Sequence, residues 1–214
     1  MRVLAIDTAL GACSAALLDG DTVLAHRFEP MDRGHAERLA PMVEEVMREA
    51  NLAFAALERL AVTTGPGTFT GQRVGLAFAR GLRIALSKPL IGITTLAAMA
   101  AQAMAETGRK TAAAIHDARR GEVYLEIAGG YASPPEVLTF SDAIQRLAAL
   151  RDDFALAGTA APATLMAVPH AQMSSVIQPD AVWVARLAVR APATEAAPKP
   201  LYLRAPDAKL PAPR

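Results

Sequence analysis

Cysteine occurs once in 214 residues, at Cys13. That single thiol excludes an internal disulfide framework and any zinc site built on cysteines. A chain without disulfides reads most simply as cytoplasmic. Aromatic residues make up only 5% of the chain, although the hydrophobic fraction is 52%. Much of that apolar content is alanine, so close packing of small side chains is expected in place of aromatic anchors. Neither sign of charge dominates: 22 Lys and Arg stand against 21 Asp and Glu, a formal net charge of +1. A basic face spread over the whole chain is thereby excluded, though a local patch is not. No apolar run reaches the roughly 20 residues that a membrane span needs. The longest nearly uncharged stretch, Pro89 to Met104, is interrupted by Gly92, Thr94, Thr95 and Gln102. The opening Met1-Arg2-Val3-Leu4-Ala5-Ile6-Asp7 meets an acid too early for a signal-peptide core. The length suits one large domain or two small ones.

What is present is a pattern that occurs twice. Val3 to Ile6, Cys13 to Leu18 and Thr22 to Phe28 are predicted strands, the last two joined by the turn signal Asp19-Gly20-Asp21. From His35, the positions Leu39, Val43, Val46, Met47 and Ala50 keep a helical period, with Pro41 as an awkward interruption. Leu60 to Thr64 is a buried strand that runs into Gly65-Pro66-Gly67-Thr68-Phe69-Thr70-Gly71. Val74, Phe78, Leu82 and Ala85 then share a helix face. Pro89 to Ile93 is a strand and Thr95 to Glu106 a helix. A polar break at Thr107 to Lys110 marks a domain boundary. The second half opens alike, with strands Ala112 to Ile115, Val123 to Ile127 and Glu136 to Phe140. Ser141 is a good N-cap for a helix over Asp142 to Leu150. A strand at Phe154 to Ala157 and a helix capped by Asp180 follow, then a Pro-rich, extended tail. The order βββαβαβα followed by a shorter βββαβα argues α/β layers with mixed sheets. It suggests the two-lobed actin, sugar kinase and Hsp70 (ASKHA) fold with a reduced second lobe. The expected divisions are residues 1–106, 107–190 and a tail over 191–214.

Four groups could carry chemistry. Gly65, Gly67 and Gly71, with Thr68 and Thr70, lie between a strand and a helix. They could offer N–H groups to an anion, or serve only as a tight turn. The Lys-Ser/Thr pair of a P-loop is missing, and the dinucleotide fingerprint spacing is absent. Gly71, Gly75 and Ala79 are spaced by four, so they line one helix face that a partner helix or the chain's own sheet could approach closely. His35 has Leu39 at i+4 where a metal-binding pair would want a second His, so no metal is expected there. It suits a helix start or an interface contact. Asp7 and Thr8 end the first strand, where an acid could orient a metal-bound phosphate, yet Ala9-Leu10-Gly11-Ala12 offers no Lys. Asp117, Arg119 and Arg120 form a polar turn in the second half. Ser14 and Cys13 lie in a strand with no nearby base, so nucleophilic catalysis is unsupported.

Several longer motifs occur in order: Leu4-Ala5-Ile6-Asp7-Thr8, His35 to Pro41, Val62 to Ala77, Asp117 to Tyr124, and Pro200-Leu201-Tyr202-Leu203-Arg204. Together they resemble the TsaB (YeaZ) family of bacteria over most of the chain, most strongly over residues 1 to 106. The resemblance implies a non-catalytic subunit for threonylcarbamoylation of N6 of adenosine 37 (t6A37) in tRNAs reading ANN codons. It implies pairing with the transferase TsaD through first-lobe helices, with the ATPase TsaE joining them. It also implies a homodimer when TsaD is absent, tRNA held through the complex, and ATP or threonylcarbamoyl-AMP handled by the partner subunits. The docking surface would then include His35, Gly71, Gly75 and Ala79, with Asp7, Thr8, Gly65, Gly67, Thr68, Asp117 and Arg119 as vestigial nucleotide or interface loops. An ATP-binding enzyme of the same fold, a small kinase or carbamoyl-transferase, is the alternative. A peptidase acting on TsaD ranks last.

Overall fold

The computed structural model describes residues 1–193 and 196–204. The first half runs β1 (Arg2–Asp7), β2 (Ala12–Asp19), β3 (Thr22–Pro30), α1 (His35–Glu49), β4 (Arg59–Gly65), α2 (Phe69–Leu86), β5 (Leu90–Thr94) and α3 (Thr95–Thr107). The second runs β6 (Thr111–Arg119), β7 (Glu122–Gly129), β8 (Ser133–Thr139), α4 (Phe140–Ala148), β9 (Ala155–Ala157), α5 (Ala161–Ala167), β10 (Gln172–Met173) and α6 (Ala181–Arg190). The two five-stranded sheets have orders β3-β2-β1-β4-β5 and β8-β7-β6-β9-β10, the same path twice. In each, a three-stranded antiparallel meander is extended by two parallel strands. Parallel neighbours need crossovers, which α1, α2, α4 and α5 supply.

These helices cover the outer faces. Leu39, Met42, Val43 and Val46 of α1 pack with Leu4, Ile6, Leu17 and Val62 on the first sheet. Ala143, Leu147 and Ala161 pack with Ile115, Leu125 and Leu156 on the second. The inner faces exchange partners. Helix α6 lays Ala181, Val184, Ala185 and Ala188 on Val3, Ala5, Ala16 and Ala61 of the first sheet. Helix α3 lays Leu96, Met99, Ala100 and Ala103 on Ala112, Ala114, Ala155 and Ala157 of the second. The alanine-rich composition thus becomes two thin seams where helix and sheet approach closely. Residues 106 and 190 are turning points along the chain, but a cut after 106 would strip α3 from the sheet it covers.

Several details differ from expectation. The second lobe gains α5 and β10, so its sheet has as many strands as the first, and its reduction lies in strands of three and two residues. Helix α4 begins at Phe140, because Thr139, still extended, caps it by accepting from the Asp142 N–H at 3.1 Å in place of Ser141. Asp180 caps α6 as expected, its Oδ1 accepting from the Val182 N–H at 2.8 Å. Pro41 is accommodated on an exposed face of α1. Residues 194–195 and 205–214 of the expected tail lie outside the described residues, while 196–204 return to the first lobe, where the Leu201 N–H donates to Thr64 O at 2.8 Å. Among the described residues no helix is long and apolar enough to cross a membrane.

Because Ala185 is fully buried in the α6 seam, Ala185→Leu should cost about 1–3 kcal/mol in urea unfolding. Ala77→Leu, on the exposed side of α2, should stay within about 0.5 kcal/mol.

Candidate functional site

The centre of interest is the turn Thr8 to Gly11 after β1 and the glycine loop that rests on it. Thr68 caps α2, its Oγ1 accepting from the Gly71 N–H at 3.1 Å. The Thr68 N–H donates to Ala9 O at 2.8 Å, so a carbonyl oxygen already faces the positive end of α2. Thr8 Oγ1 donates to Gly71 O at 2.7 Å. A Cβ at Gly67 would stand 2.3 Å from Ala9 O, and one at Gly71 would stand 2.2 Å from Thr8 O. Only glycine permits this approach. Gly65 has φ near +106°, and any Cβ there would strike the Gln72 amide. Gln72 in turn donates to Gly67 O at 3.0 Å and braces the loop.

The turn itself is tied on every side. Leu10 O accepts from His35 Nε2 at 3.1 Å, and Gly11 O accepts from the Met31 N–H at 3.1 Å. The Ala9 N–H donates to Asp7 Oδ1 at 3.2 Å, and the Gly11 N–H to Gln178 Oε1 at 2.9 Å. The N–H groups of Ala9, Gly11 and Thr68, which could have turned to a phosphate, are therefore already engaged within the chain.

Asp7 ends the central strand β1, and His116 lies within the central strand β6. Both are buried. Asp7 Oδ1 accepts from Thr63 Oγ1 at 2.5 Å, but its Oδ2 has no partner. Burial pushes its pKa up to about 7, against the hydrogen bonds from Thr63 and Ala9. Burial pushes the His116 imidazole down to about 4, which keeps it neutral at physiological pH. Glu126 of β7 is raised to about 6 by burial, while Thr94 Oγ1, at the N-cap of α3, donates to it at 2.6 Å. A cleft of about 580 Å³ opens beside the turn, lined by Gly11, His26, Phe28, Gln102, Gln178 and Asp180 among others. His26 Nε2 lies 3.0 Å from Asp180 Oδ1 there.

The structure gathers Asp7, Thr8, Gly65, Gly67, Thr68, Gly71 and His35 into one cluster. It corrects the role expected for part of it. Gly71, Gly75 and Ala79 face inward and are buried, so they form no free docking face. A Cβ at Gly75 would stand 2.7 Å from Thr8 Oγ1 and 3.5 Å from Val62 Cγ2. His35 is likewise engaged with Leu10. The expected core stripe Val74, Phe78 and Leu82 is only partly buried, and Ala85 is exposed. What α2 turns outward is Arg73, Ala77, Gly81 and Ile84, the last 79% exposed. Asp117 and Arg119 lie at the end of β6 leading into the turn to β7, where the Asp117 N–H donates to Thr159 Oγ1 at 3.0 Å and the Arg119 N–H to Asp117 Oδ1 at 2.8 Å. Thr63, Gln72 and Gln178 went unrecognised in the sequence. Thr63 had a signal, since it follows the apolar run of the strand paired with β1. Gln178, 167 positions from its partner Gly11, had none.

Two sheets of one topology with exchanged inner helices define the two-lobed actin-like class. A solved activator of 2-hydroxyisocaproyl-CoA dehydratase from Clostridium difficile shares this fold at 12% identity, with a TM-score of 0.52 over 89% of this chain and 95% of that one. The family model for TsaD, tRNA N6-adenosine threonylcarbamoyltransferase, matches residues 22–177. YeaZ from Pseudomonas aeruginosa superposes with a TM-score of 0.81 at 32% identity, covering 94% of this chain and 99% of that one. The tRNA threonylcarbamoyladenosine biosynthesis protein TsaB of Escherichia coli is 44% identical over 124 residues, which are 58% of this chain and 53% of that protein. The chain thus spans about half the length of the curated relatives it matches first. On the nearly full-length match to YeaZ at 32% identity, the chain belongs to the TsaB (YeaZ) family.

Two outcomes follow from the geometry. Asp7 holds its proton more tightly when folded than its ordinary pKa of 3.8 would allow, so the associated stability is complete below about 3.8 and is lost as pH rises to about 7. Asp7→Asn should therefore flatten the difference between urea midpoints at pH 5 and pH 8; an unchanged difference would count against the buried acid. Gly75→Leu should cost at least about 2 kcal/mol in the isolated chain, because its side chain must displace Thr8 and Val62. An unaltered midpoint for that variant would show the face to be free.

Proposed function

We propose that this chain is a non-catalytic subunit required for t6A37 formation in tRNAs reading ANN codons, acting in the cytoplasm by binding and activating TsaD together with TsaE. The observation that carries the reading is the saturated turn. Ala9 O occupies the N-terminus of α2, and the Ala9 and Gly11 amides donate to Asp7 and Gln178. A phosphate would have to displace the chain's own backbone from that place. The neighbouring cleft has His26 but neither Lys nor Arg in its lining, and it carries the carboxylate of Asp180. Among the described residues no three His, Cys, Asp or Glu side chains converge as a metal site would require. Membership in the TsaB family supplies the reaction.

Activation then rests on docking. The outward face of α2 is the surface for it: Ala77 and Gly81 let another helix come close, and Ile84 offers an exposed apolar knob. TsaD takes this face in the complex, a second copy takes it when TsaD is absent, and tRNA, ATP and threonylcarbamoyl-AMP are handled by the assembly.

The test is modification of tRNA in a mixture of TsaD, TsaE, ATP and the adenylate. The chain alone should transfer nothing, and adding it to the mixture should restore t6A. Ile84→Glu should fold normally yet need about tenfold or more higher concentration for the same rate, as expected for an anchor at the centre of an interface. Equal modification with and without the chain would refute the proposal, and an Ile84→Glu dose curve identical to wild type would move the interface elsewhere.

A further inference from the structure

The chain does not stop at α6. Residues 196–204 run back across the first lobe as a strap held by a series of separate contacts. Pro198 sits over Gly92, where a Cβ would stand 2.6 Å from the proline Cβ. Pro198 O accepts from Arg80 at 2.5 Å, and the Leu201 N–H donates to Thr64 O at 2.8 Å. Tyr202 stacks on Phe69 with ring centroids 5.8 Å apart, and its hydroxyl accepts from Arg73 Nε at 2.9 Å. The Arg73 guanidinium lies over the Phe69 ring at 3.3 Å. Phe69 and Tyr202 nonetheless remain 50% and 45% exposed, so this end of the strap is accessible from solvent.

Two residues later the strap changes lobes. Arg204 donates to Ala118 O at 2.6 Å and places its Nε 3.3 Å from Glu122 Oε2. The turn it reaches is unusual. Arg119, Arg120 and Gly121 follow one another with φ of 65°, 57° and 76°. Two consecutive non-glycine residues in the left-handed region carry a backbone cost and persist only where neighbours fix them. Arg204 grips the residue immediately before this run. The strap is otherwise a surface element, since each lobe keeps its own core of outer helices on sheet.

We propose that residues 196–204 form an interlobe latch, in which Arg204 holds the β6–β7 turn in its left-handed conformation and the Phe69–Arg73–Tyr202 cluster anchors the other end on α2. The consequence is coupling. Any molecule that engages Tyr202 or Phe69 acts on the same short strap that holds the second lobe's turn. This goes beyond the proposed role in tRNA modification and does not depend on it, because the latch belongs to the free chain.

Hydrogen exchange on the full chain tests it, read at the amides from Ala118 to Gly121. Arg204→Ala should speed their exchange about tenfold, the scale of losing a charge-assisted hydrogen bond, while amides of β1 and of β6 from Thr111 to His116 keep wild-type rates. Glu122→Gln retains the bond to Ala118 O and should give a smaller acceleration. This variant keeps the test open if Arg204→Ala proves poorly folded. Tyr202→Ala, which touches α2 and not the turn, should also accelerate exchange in the turn. Unchanged turn exchange in both Arg204→Ala and Glu122→Gln would overturn the latch. Acceleration by Arg204→Ala but none by Tyr202→Ala would reduce Arg204 to a local clip and overturn the coupling.

Discussion

Everything around the candidate site depends on a contact between two pieces of backbone. The start of α2 lies directly on the turn after β1, close enough that Gly67 and Gly71 leave no room for a single carbon between helix and carbonyl. The contact is held by Thr68 N–H to Ala9 O and by Thr8 Oγ1 to Gly71 O. A helix N-terminus attracts whatever partial negative charge is nearest. Here that charge belongs to the protein itself. The same closeness sets the rotation of α2 about its axis: once Gly71, Gly75 and Ala79 are pressed inward, Arg73, Ala77, Gly81 and Ile84 must face outward.

One constraint therefore has two functional results. It fills the place where an actin-like fold with a furnished loop could bind phosphate, and it presents a helix face of Arg73, two small residues and one apolar knob. On the proposed reading, the occupied anion position and the accessible helix both serve the holding of a partner. The buried pair Asp7 and His116 fits that emphasis. Burial pushes the acid toward holding its proton and the imidazole toward losing it, so near neutral pH His116 is uncharged and Asp7 is about half protonated.

Much of the fold was legible in the sequence. The two meanders, the strand entering the glycine loop and the cap at Asp180 rest on local chemistry, which periodicity and turn residues report. The short α5 and β10 were missed because an alanine-rich stretch such as Ala160 to Ala167 has little contrast between faces. Their position is set by the sheet they complete. The glycine stripe was the instructive case. Spacing by four showed that something comes close to Gly71, Gly75 and Ala79, but it did not show from which side. The occupant, Thr8, lies more than sixty positions away and is brought there by β1 pairing with β4. His35 was similarly ambiguous until Leu10 appeared as its partner. The strap could not be read in advance either. Leu201 to Arg204 have no periodicity, and their contacts with Thr64, Arg73 and Ala118 exist only in the folded chain.

The central claim is that α2 docks outward while its glycine face stays closed. Side-chain footprinting by hydroxyl radicals, in the free chain and after addition of TsaD, tests it most directly. Ile84 should be strongly labelled when the chain alone is dilute enough to be monomeric and protected in the complex, while Leu76, already buried on the inner side, should stay unlabelled in both. A complex that forms with Ile84 still fully labelled, or new labelling of Leu76 on binding, would contradict the account.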